Sequence, residues 1–372
     1  MRIRRVVMKN YRNYADETVE FSPGTNIFLG RNAQGKTNIL EAVYYAALGR
    51  SHRTSYDEEL IRWNENEAKL SVNFIKRDAE NLLEFRFFRE KRRQMNRNGA
   101  PVRMKDLIGA VNVVFFSPED LFLIKGTPAG RRRFLDMEIS QADVSYFKDL
   151  AIYTKLLSHR NSLLKRIRDG LASEEEISLW DEQMVPKAIS VIKKRTEAVK
   201  KMSFLASEKQ KEISGGKEEL FLRYEIHEGE RESHDESMTS DLRSWYNEKL
   251  KESKNMDIAR GFTRFGPHRD DLAFFVNGVD LRAYGSQGQQ RTGVLALKLA
   301  ELSFFREETG EYPVLLLDDV MSELDRERKE QLLFFIKGEN LQALVTAADE
   351  AYFSSGDFGA VFQVEKGTVT AK

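Results

Sequence analysis

Three short stretches of this chain hold side chains whose types and spacing suit phosphate chemistry. In Gly30-Arg31-Asn32-Ala33-Gln34-Gly35-Lys36-Thr37, two glycines bracket four residues and are followed by Lys and Thr, the spacing of a phosphate-binding loop. The loop follows the apolar run Ile27-Phe28-Leu29 and opens a pattern rich in Leu40, Ala42, Val43, Ala46, Ala47 and Leu48. That is the strand, loop and helix order the chemistry requires. Glycines let backbone N–H groups turn toward phosphate oxygens, and a helix N-terminus adds partial positive charge. In such a loop Lys36 reaches the β and γ phosphates, and the Thr37 hydroxyl holds Mg²⁺.

The second stretch is Val314-Leu315-Leu316-Leu317-Asp318-Asp319. Four apolar residues in a row suit a central parallel strand buried on both faces. Carboxylates at its C-terminal end lie where ligands bind in open α/β sheets. Asp318 is the natural partner of Thr37 on Mg²⁺, and Asp319 is placed to polarise an attacking water. Lys36, Asp318 and Asp319 form the candidate catalytic set. Glu323 and Asp325 follow at a turn and helix start, where either would also serve as a cap. The third stretch, Tyr284-Gly285-Ser286-Gln287-Gly288-Gln289-Gln290-Arg291, precedes an apolar helix with Val294, Leu295, Leu297, Leu299 and Leu302. Small and polar residues before a helix make a second anion site, with Ser286 at or near the N-cap. One nucleotide loop needs no second anion site in its own subunit. The arrangement makes sense if Ser286, Gln287, Gly288 and Gln289 close on nucleotide held by another copy.

The elements that must position these residues read as one α/β domain made from both ends of the chain. Strands are expected at residues 3–8, 19–21, 25–29, 70–75, 82–88 and 111–116. They are expected again at 272–276, 314–317 and 342–346, with helices after Gly288 and over 325–337. Between residues 128 and 213 glycine is scarce, and Lys, Arg, Glu and Leu dominate. Phe147, Leu150, Leu157, Leu164 and Ile167 recur at near-helical spacing, as do Ile189, Ile192, Val199 and Phe204. We read two helices of about 25 residues, each about 40 Å long, packed as a hairpin. That makes a lobe and not a long coiled-coil arm. A strand is expected at 220–226 and an acidic loop at 227–236. The expected division is an ATPase-type domain at 1–116 and 261–372, including an antiparallel strand region at about 69–98, with an inserted, mainly helical lobe at 117–260.

Composition narrows the function classes. The 372 residues carry 59 basic and 59 acidic side chains, so any attraction to nucleic acid must come from local patches. There is no cysteine, which excludes a disulfide scaffold, a thiol nucleophile and a Cys-ligated metal. His52, His159, His227, His234 and His268 are scattered and suggest no metal site. No apolar run approaches the roughly 20 residues of a membrane span, and the start lacks a signal-peptide core. A cytosolic protein with no membrane partner is expected.

The loop, the Ser-Gln-Gly-Gln-Gln stretch and the Leu-Leu-Asp-Asp strand with Ser322-Glu323-Leu324-Asp325 resemble the ABC-type ATPases of the SMC group. A fuller pattern is similar to the RecF family. It includes Asn10-Tyr11-Arg12-Asn13-Tyr14, Gly49-Arg50-Ser51-His52-Arg53-Thr54, Ser117-Pro118-Glu119-Asp120-Leu121, Arg131-Arg132-Arg133-Phe134-Leu135-Asp136 and Gly266-Pro267-His268-Arg269-Asp270-Asp271. The resemblance spans the chain. It implies an SMC-like head fold, ATP with Mg²⁺ as cofactors, and head-to-tail dimers in which Ser286 to Gln290 cap the partner's nucleotide. It also implies that Asp325 lies in the segment reaching that nucleotide. It further implies closure on duplex DNA near gaps in recombinational repair and replication, with RecR and the RecO pathway as partners. Asp319 stands where many ABC proteins have a catalytic Glu, and Thr346 where many have a switch His, so weak, slow ATPase activity suited to a timed clamp is expected. A transporter ATPase subunit and a clamp that does not hydrolyse ATP are the alternatives.

For DNA, residues 76–105 hold ten basic and four acidic side chains, a net of +6. Cationic side chains there would give sequence-independent, salt-dependent affinity. Arg86, Arg92, Arg93, Arg97, Arg103 and Lys105 are the candidate contacts. Little aromatic interleaving favours duplex backbone over stacking on single strands. A solvated hairpin is the plainer reading of the same charges. Arg131-Arg132-Arg133 opens a helix, and either touches DNA or pairs with Asp136 and Glu138 or with other acids of the lobe.

Overall fold

The computed structural model describes residues 1–226, 231–232, 238–339, 341–353 and 359–372. The chain forms two compact units, Met1–Asp120 with Lys298–Lys372, and Leu121–Leu297.

The first unit holds two six-stranded sheets. One runs in the order Thr368–Ala371, Ala360–Glu365, Thr25–Leu29, Ala343–Ala347, Val314–Asp318, Val113–Phe116. All neighbours in it are parallel except the final hairpin pair. Its central strands are apolar runs because both faces are covered. The other sheet is antiparallel, in the order Tyr14–Glu20, Arg2–Tyr11, Glu67–Lys76, Ala79–Phe88, Gln94–Arg97, Ala100–Pro101. There the period of two is plain: Leu83, Phe85 and Phe87 point inward, and Arg86 points to solvent.

The helix Lys36–Leu48 is apolar nearly all round, which suits a helix enclosed by other elements. It touches strands of both sheets, and Tyr45 meets Phe85 and Phe87 edge-on at 5.3 and 5.0 Å between ring centres. Gln342 ties the sheets together. Its Nε2 donates to the carbonyls of Ile3 and Ser22 at 2.8 Å each, and its Oε1 accepts from the Ile3 N–H at 2.6 Å.

The second unit is mainly helical: Pro128–Ala142, Val144–Arg168, Glu176–Ser214 and Met238–Arg260. The first arm of the expected hairpin has the expected 25 residues. The second has 39 and runs through Pro186, so it is about 58 Å long at the usual rise. The buried stripe of Val144–Arg168 also differs in part from expectation. Leu164 is fully buried as expected, together with Tyr146, Tyr153, Arg160 and Leu163, whereas Phe147, Leu150, Leu157 and Ile167 are half-buried.

This unit is held by three buried arginines. Arg160 donates to Asp181 at 2.7 Å, Asp257 at 2.9 Å and the Thr263 hydroxyl at 2.8 Å. Arg195 donates to Asp136 at 2.7 Å, the Tyr146 hydroxyl at 2.9 Å and the Pro267 carbonyl at 2.6 Å. Arg131 grips Asp271 with two bonds of 2.7 Å. Removing one partner of such a buried pair typically costs about 3–5 kcal/mol. His268 joins this network. Its Nε2 sits 3.0 Å from the Thr263 carbonyl, an acceptor only, so Nε2 carries the hydrogen and Nδ1 accepts from the Tyr153 hydroxyl at 2.6 Å.

A small sheet completes the unit, with Leu220–Ile226 antiparallel to Asp271–Val276 and the latter pairing with Val279–Asp280. The acidic loop expected at 227–236 lies largely outside the described residues; Arg231–Glu232 within it pairs with Ile226 and Glu225.

Candidate phosphate-binding site

Gly30 to Thr37 join the buried strand Thr25–Leu29 to the helix Lys36–Leu48, on the C-terminal edge of the parallel sheet. Gly35 has a φ of 119°, and a Cβ there would stand 2.7 Å from the Asn13 amide and 2.8 Å from the Tyr14 hydroxyl. Those two side chains hold the loop. The Asn13 Nδ2 donates to the Gln34 carbonyl at 2.8 Å, and the Tyr14 hydroxyl donates to the Gly35 carbonyl at 3.0 Å. The Lys36 ammonium folds back along the loop, donating to the Gly30 carbonyl at 2.6 Å and the Arg31 carbonyl at 3.1 Å. Burial pushes its pKa below the usual lysine value, against the opposing pull of Asp319 and Asp318.

The acidic strand is not adjacent to the loop strand, because Ala343–Ala347 lies between them. Side chains cross that interval. The Thr37 hydroxyl lies 2.9 Å from Asp318 Oδ1, and the Thr346 hydroxyl donates to the same oxygen at 2.8 Å. Thr346 Oγ1 also accepts the Asp319 N–H at 2.9 Å. Asp319 sits at φ 55°, a left-handed conformation that is strained for a residue with a Cβ and tends to occur at functional sites. Burial raises the Asp319 pKa; Lys36 opposes this, and Asp318 and Glu323 add to it.

Around these groups is a cleft of about 690 Å³ lined by, among others, Asn32, Lys36, Thr37, Arg53, Asp318 and Asp319. A hydroxyl and a carboxylate meeting at 2.9 Å are hard oxygen donors of the kind Mg²⁺ takes, and the ammonium and loop amides are suited to phosphate oxygens.

Other residues join the site that motif spacing alone does not assign. Arg53 lines the cleft and donates to Asn38 Oδ1 at 2.9 Å; Asn38 in turn donates to Asn13 Oδ1 at 2.8 Å. His52 lines it too, its ring 4.5 Å from that of Phe115, and burial lowers its pKa so that it is neutral at pH 7. Arg12 supports the site from behind. It grips Glu41, a fully buried carboxylate on the loop helix, at 2.6 and 2.8 Å, and Ser51 donates to the same carboxylate at 2.5 Å. Loop-strand-helix spacing carries no signal for Arg12 or Ser51, because their work is done across the fold.

Ser286, Gln287, Gly288 and Gln289 belong to the second unit. Ser286 and Gln289 form a reciprocal cap on the helix Gln287–Thr309. The Gln289 N–H donates to Ser286 Oγ at 3.2 Å and the Ser286 N–H to Gln289 Oε1 at 3.0 Å, the box that satisfies a helix start. Asp325 is the N-cap of Arg326–Gly338, accepting from the Arg328 N–H at 3.0 Å, and it is not among the residues lining the cleft.

The basic candidates divide. Arg86, Arg92, Arg103 and Lys105 are exposed. Arg97 is half-buried and donates to Asn81 at 3.1 Å. Arg93 is occupied internally, donating to the Gly49 carbonyl at 2.7 Å, to Asp57 at 3.0 Å and to the Tyr45 hydroxyl. Of the Arg131 to Arg133 run, Arg131 is 2% exposed and paired with Asp271, and Arg132 donates to the Asp270 carbonyl at 2.8 Å. Asp136, expected as a local partner of this run, is held by Arg195 instead.

The family model for the RecF/RecN/SMC N-terminal domain matches residues 2–370. The DNA replication and repair protein RecF of Halalkalibacterium halodurans is 42% identical across all of both chains, and that of Lachnoclostridium phytofermentans is 42% identical across 99% of each. The chain belongs to the RecF family.

Among solved structures, that of the recombination mediator protein RecF-ATP in the RecFOR pathway is similar with a TM-score of 0.90. It is 36% identical and covers 100% of this chain and 97% of its own. An Smc head bound to the winged-helix domain of ScpA is similar in fold alone, with a TM-score of 0.59 at 16% identity over 100% of this chain and 98% of its own. The chain therefore has an SMC-type head fold, and RecF membership sets aside the transporter-subunit alternative. Among the described residues no helix is long and apolar enough to cross a membrane.

Proposed function

We propose that this RecF-family chain is a DNA-repair ATPase that binds ATP with Mg²⁺, pairs with a second copy on binding it, and closes on duplex DNA beside single-strand gaps. The observation that carries the reading is the convergence of Lys36, Thr37, Asp318 and Thr346 at one cleft, on an RecF-type fold whose solved relative is a RecF-ATP structure. Lys36 and the loop amides from Gly30 to Gly35 bind the phosphates. Thr37 and Asp318 hold Mg²⁺, which supplies charge neutralisation at the phosphates when bound. Asp319 takes a proton from, or orients, the attacking water. Arg53 adds a cation at the rim of the cleft.

Hydrolysis in this reading is slow. Asp319 has a shorter reach than Glu, and its backbone is pinned by Thr346. Ser286 to Gln289 and Asp325 complete the site across the two copies, and Arg86, Arg92, Arg103 and Lys105 supply phosphate-neutralising charge. The chain works in the cytoplasm with RecR and the RecO pathway.

The test is fluorescence anisotropy of a labelled duplex of about 30 base pairs, with and without Mg²⁺-ATP, at two salt concentrations. Affinity that requires ATP and falls with salt supports the reading; binding indifferent to ATP separates the nucleotide site from DNA and overturns it.

A further inference from the structure

We infer that Lys298 is a positioning residue for the hydrolytic end of the cleft, an inference that rests on the cleft holding ATP. The strand Val113–Phe116 pairs with Val314–Asp318 so that Phe116 lies opposite Leu317. The chain therefore leaves the sheet at Ser117, level with Asp318, and Ser117, Pro118 and Glu119 form the cleft wall next to the two carboxylates.

That wall is one short turn, Pro118–Asp120, and a single carboxylate fixes it. Asp120 Oδ2 accepts from the Ser117 N–H at 2.7 Å, while its Oδ1 receives the Lys298 ammonium at 3.1 Å. Lys298 is 3% exposed and also lies 3.3 Å from Glu301, which is fully buried.

Stability alone gives little reason for such an arrangement. Taking an ammonium and carboxylates out of water costs several kcal/mol, and well-packed apolar residues of similar volume often do as well or better. What charge adds is direction. The ammonium holds Asp120 in the one orientation that lets its other oxygen grip Ser117, so the wall beside Asp318 and Asp319 has a fixed position. Small displacements of groups near a reacting phosphate are costly to rate.

The experiment compares wild type, Lys298→Met, Asp120→Asn and Glu301→Gln in the full chain. Three quantities are read: affinity for a fluorescent non-hydrolysable ATP analogue, single-turnover ATP hydrolysis with protein in excess, and the thermal midpoint. Lys298→Met is expected to slow hydrolysis roughly tenfold or more while changing analogue affinity less than about twofold. Glu301→Gln removes the ammonium's other carboxylate but leaves the Asp120 contact, and is expected to hydrolyse at close to the wild-type rate.

Should Lys298→Met fail to fold, Asp120→Asn takes its place with the same expected loss. A wild-type rate in the folded one of these variants overturns the inference. So does an equal loss of rate in Glu301→Gln, since that marks general loosening. A wild type that binds the analogue but hydrolyses nothing overturns the inference and leaves the binding reading intact. A wild type that binds no analogue overturns the nucleotide reading itself before any variant is compared.

Discussion

Thr37 and Asp318 are 281 residues apart in the chain, and their side-chain oxygens are 2.9 Å apart. A whole strand, Ala343–Ala347, separates the elements that carry them, and Thr346 on that strand donates to the same Asp318 oxygen. Two hydroxyls thus converge on one carboxylate oxygen, leaving Asp318 Oδ2 as the lone carboxylate atom outside this pair of contacts.

Lys36→Ala removes the ammonium that lies along the loop. Loss of a charge-assisted contact to phosphate is worth about 3 kcal/mol, so analogue affinity should fall roughly a hundredfold. Asp319→Asn should instead retain affinity and lose hydrolysis, with the ATP-bound dimer accumulating in light scattering. A variant Asp319→Asn that turns over at the wild-type rate would assign the water to another group.

Gly35→Ala is the steric counterpart. Its Cβ would meet Asn13 and Tyr14 at under 3 Å from a left-handed φ, so the side chains holding the loop must move. We expect a cost of about 1–3 kcal/mol in chemical denaturation, and loss of analogue binding.

Thr346→Val keeps the volume and removes the hydroxyl that serves both Asp318 and the Asp319 N–H. An orphaned buried donor costs about 1–3 kcal/mol. Hydrolysis should suffer more than binding, which a comparison of kcat with KM would register.

His268 makes stability depend on pH in a defined direction. Burial, only partly offset by the Thr263 carbonyl, lowers its pKa to about 4, below the unfolded value of about 6.5. The unfolded chain therefore binds this proton first as pH falls. The folded state keeps full stability from this group above about pH 6.5 and loses it progressively down to about pH 4. At pH 5 the loss is about 2 kcal/mol. The difference in urea midpoint between pH 7 and pH 5 should be smaller in His268→Gln than in wild type, and an unchanged difference would show that His268 is not the titrating group.

Arg92→Ala and Lys105→Ala should weaken duplex binding and lower its log–log salt slope by about 1 each. Arg93→Ala should leave that slope alone and lower the thermal midpoint, because its bonds go to Asp57, Tyr45 and Gly49. A slope change in Arg93→Ala would place that side chain on DNA.

Local signals carried much of this site. The loop, the buried acidic strand and the cap at Ser286 are written in runs of adjacent residues, where glycine spacing and apolar continuity are direct physical demands. What adjacency does not encode is pairing across the fold. Nothing local marks Arg93 as an internal tie and Arg92 as exposed, since both are arginines in one turn; the partner, Asp57, lies on another element. The buried stripe of Val144–Arg168 is only partly legible for a related reason. Apolar periodicity finds Leu164, which is fully buried, but it also selects the half-buried Phe147 and Leu157 and passes over Tyr146, Tyr153 and Arg160, whose polar ends are satisfied by residues from distant segments. Likewise the strand Asp271–Val276 takes its place from its partner Leu220–Ile226, a pairing that texture after residue 261 does not reveal.

The strand Thr25–Leu29 has its two sheet neighbours at Ala343–Ala347 and Ala360–Glu365. On the ribosome it emerges more than 300 residues before either of them, roughly half a minute at about ten residues per second. For that interval an apolar strand followed by the phosphate loop has two open edges, the kind of surface that seeds aggregation. A chain cut short anywhere before residue 343 cannot build this sheet, however intact its loop. Messages for this protein thus yield either a finished nucleotide site or none, and the nascent chain is a natural client for chaperones that shield unpaired strands.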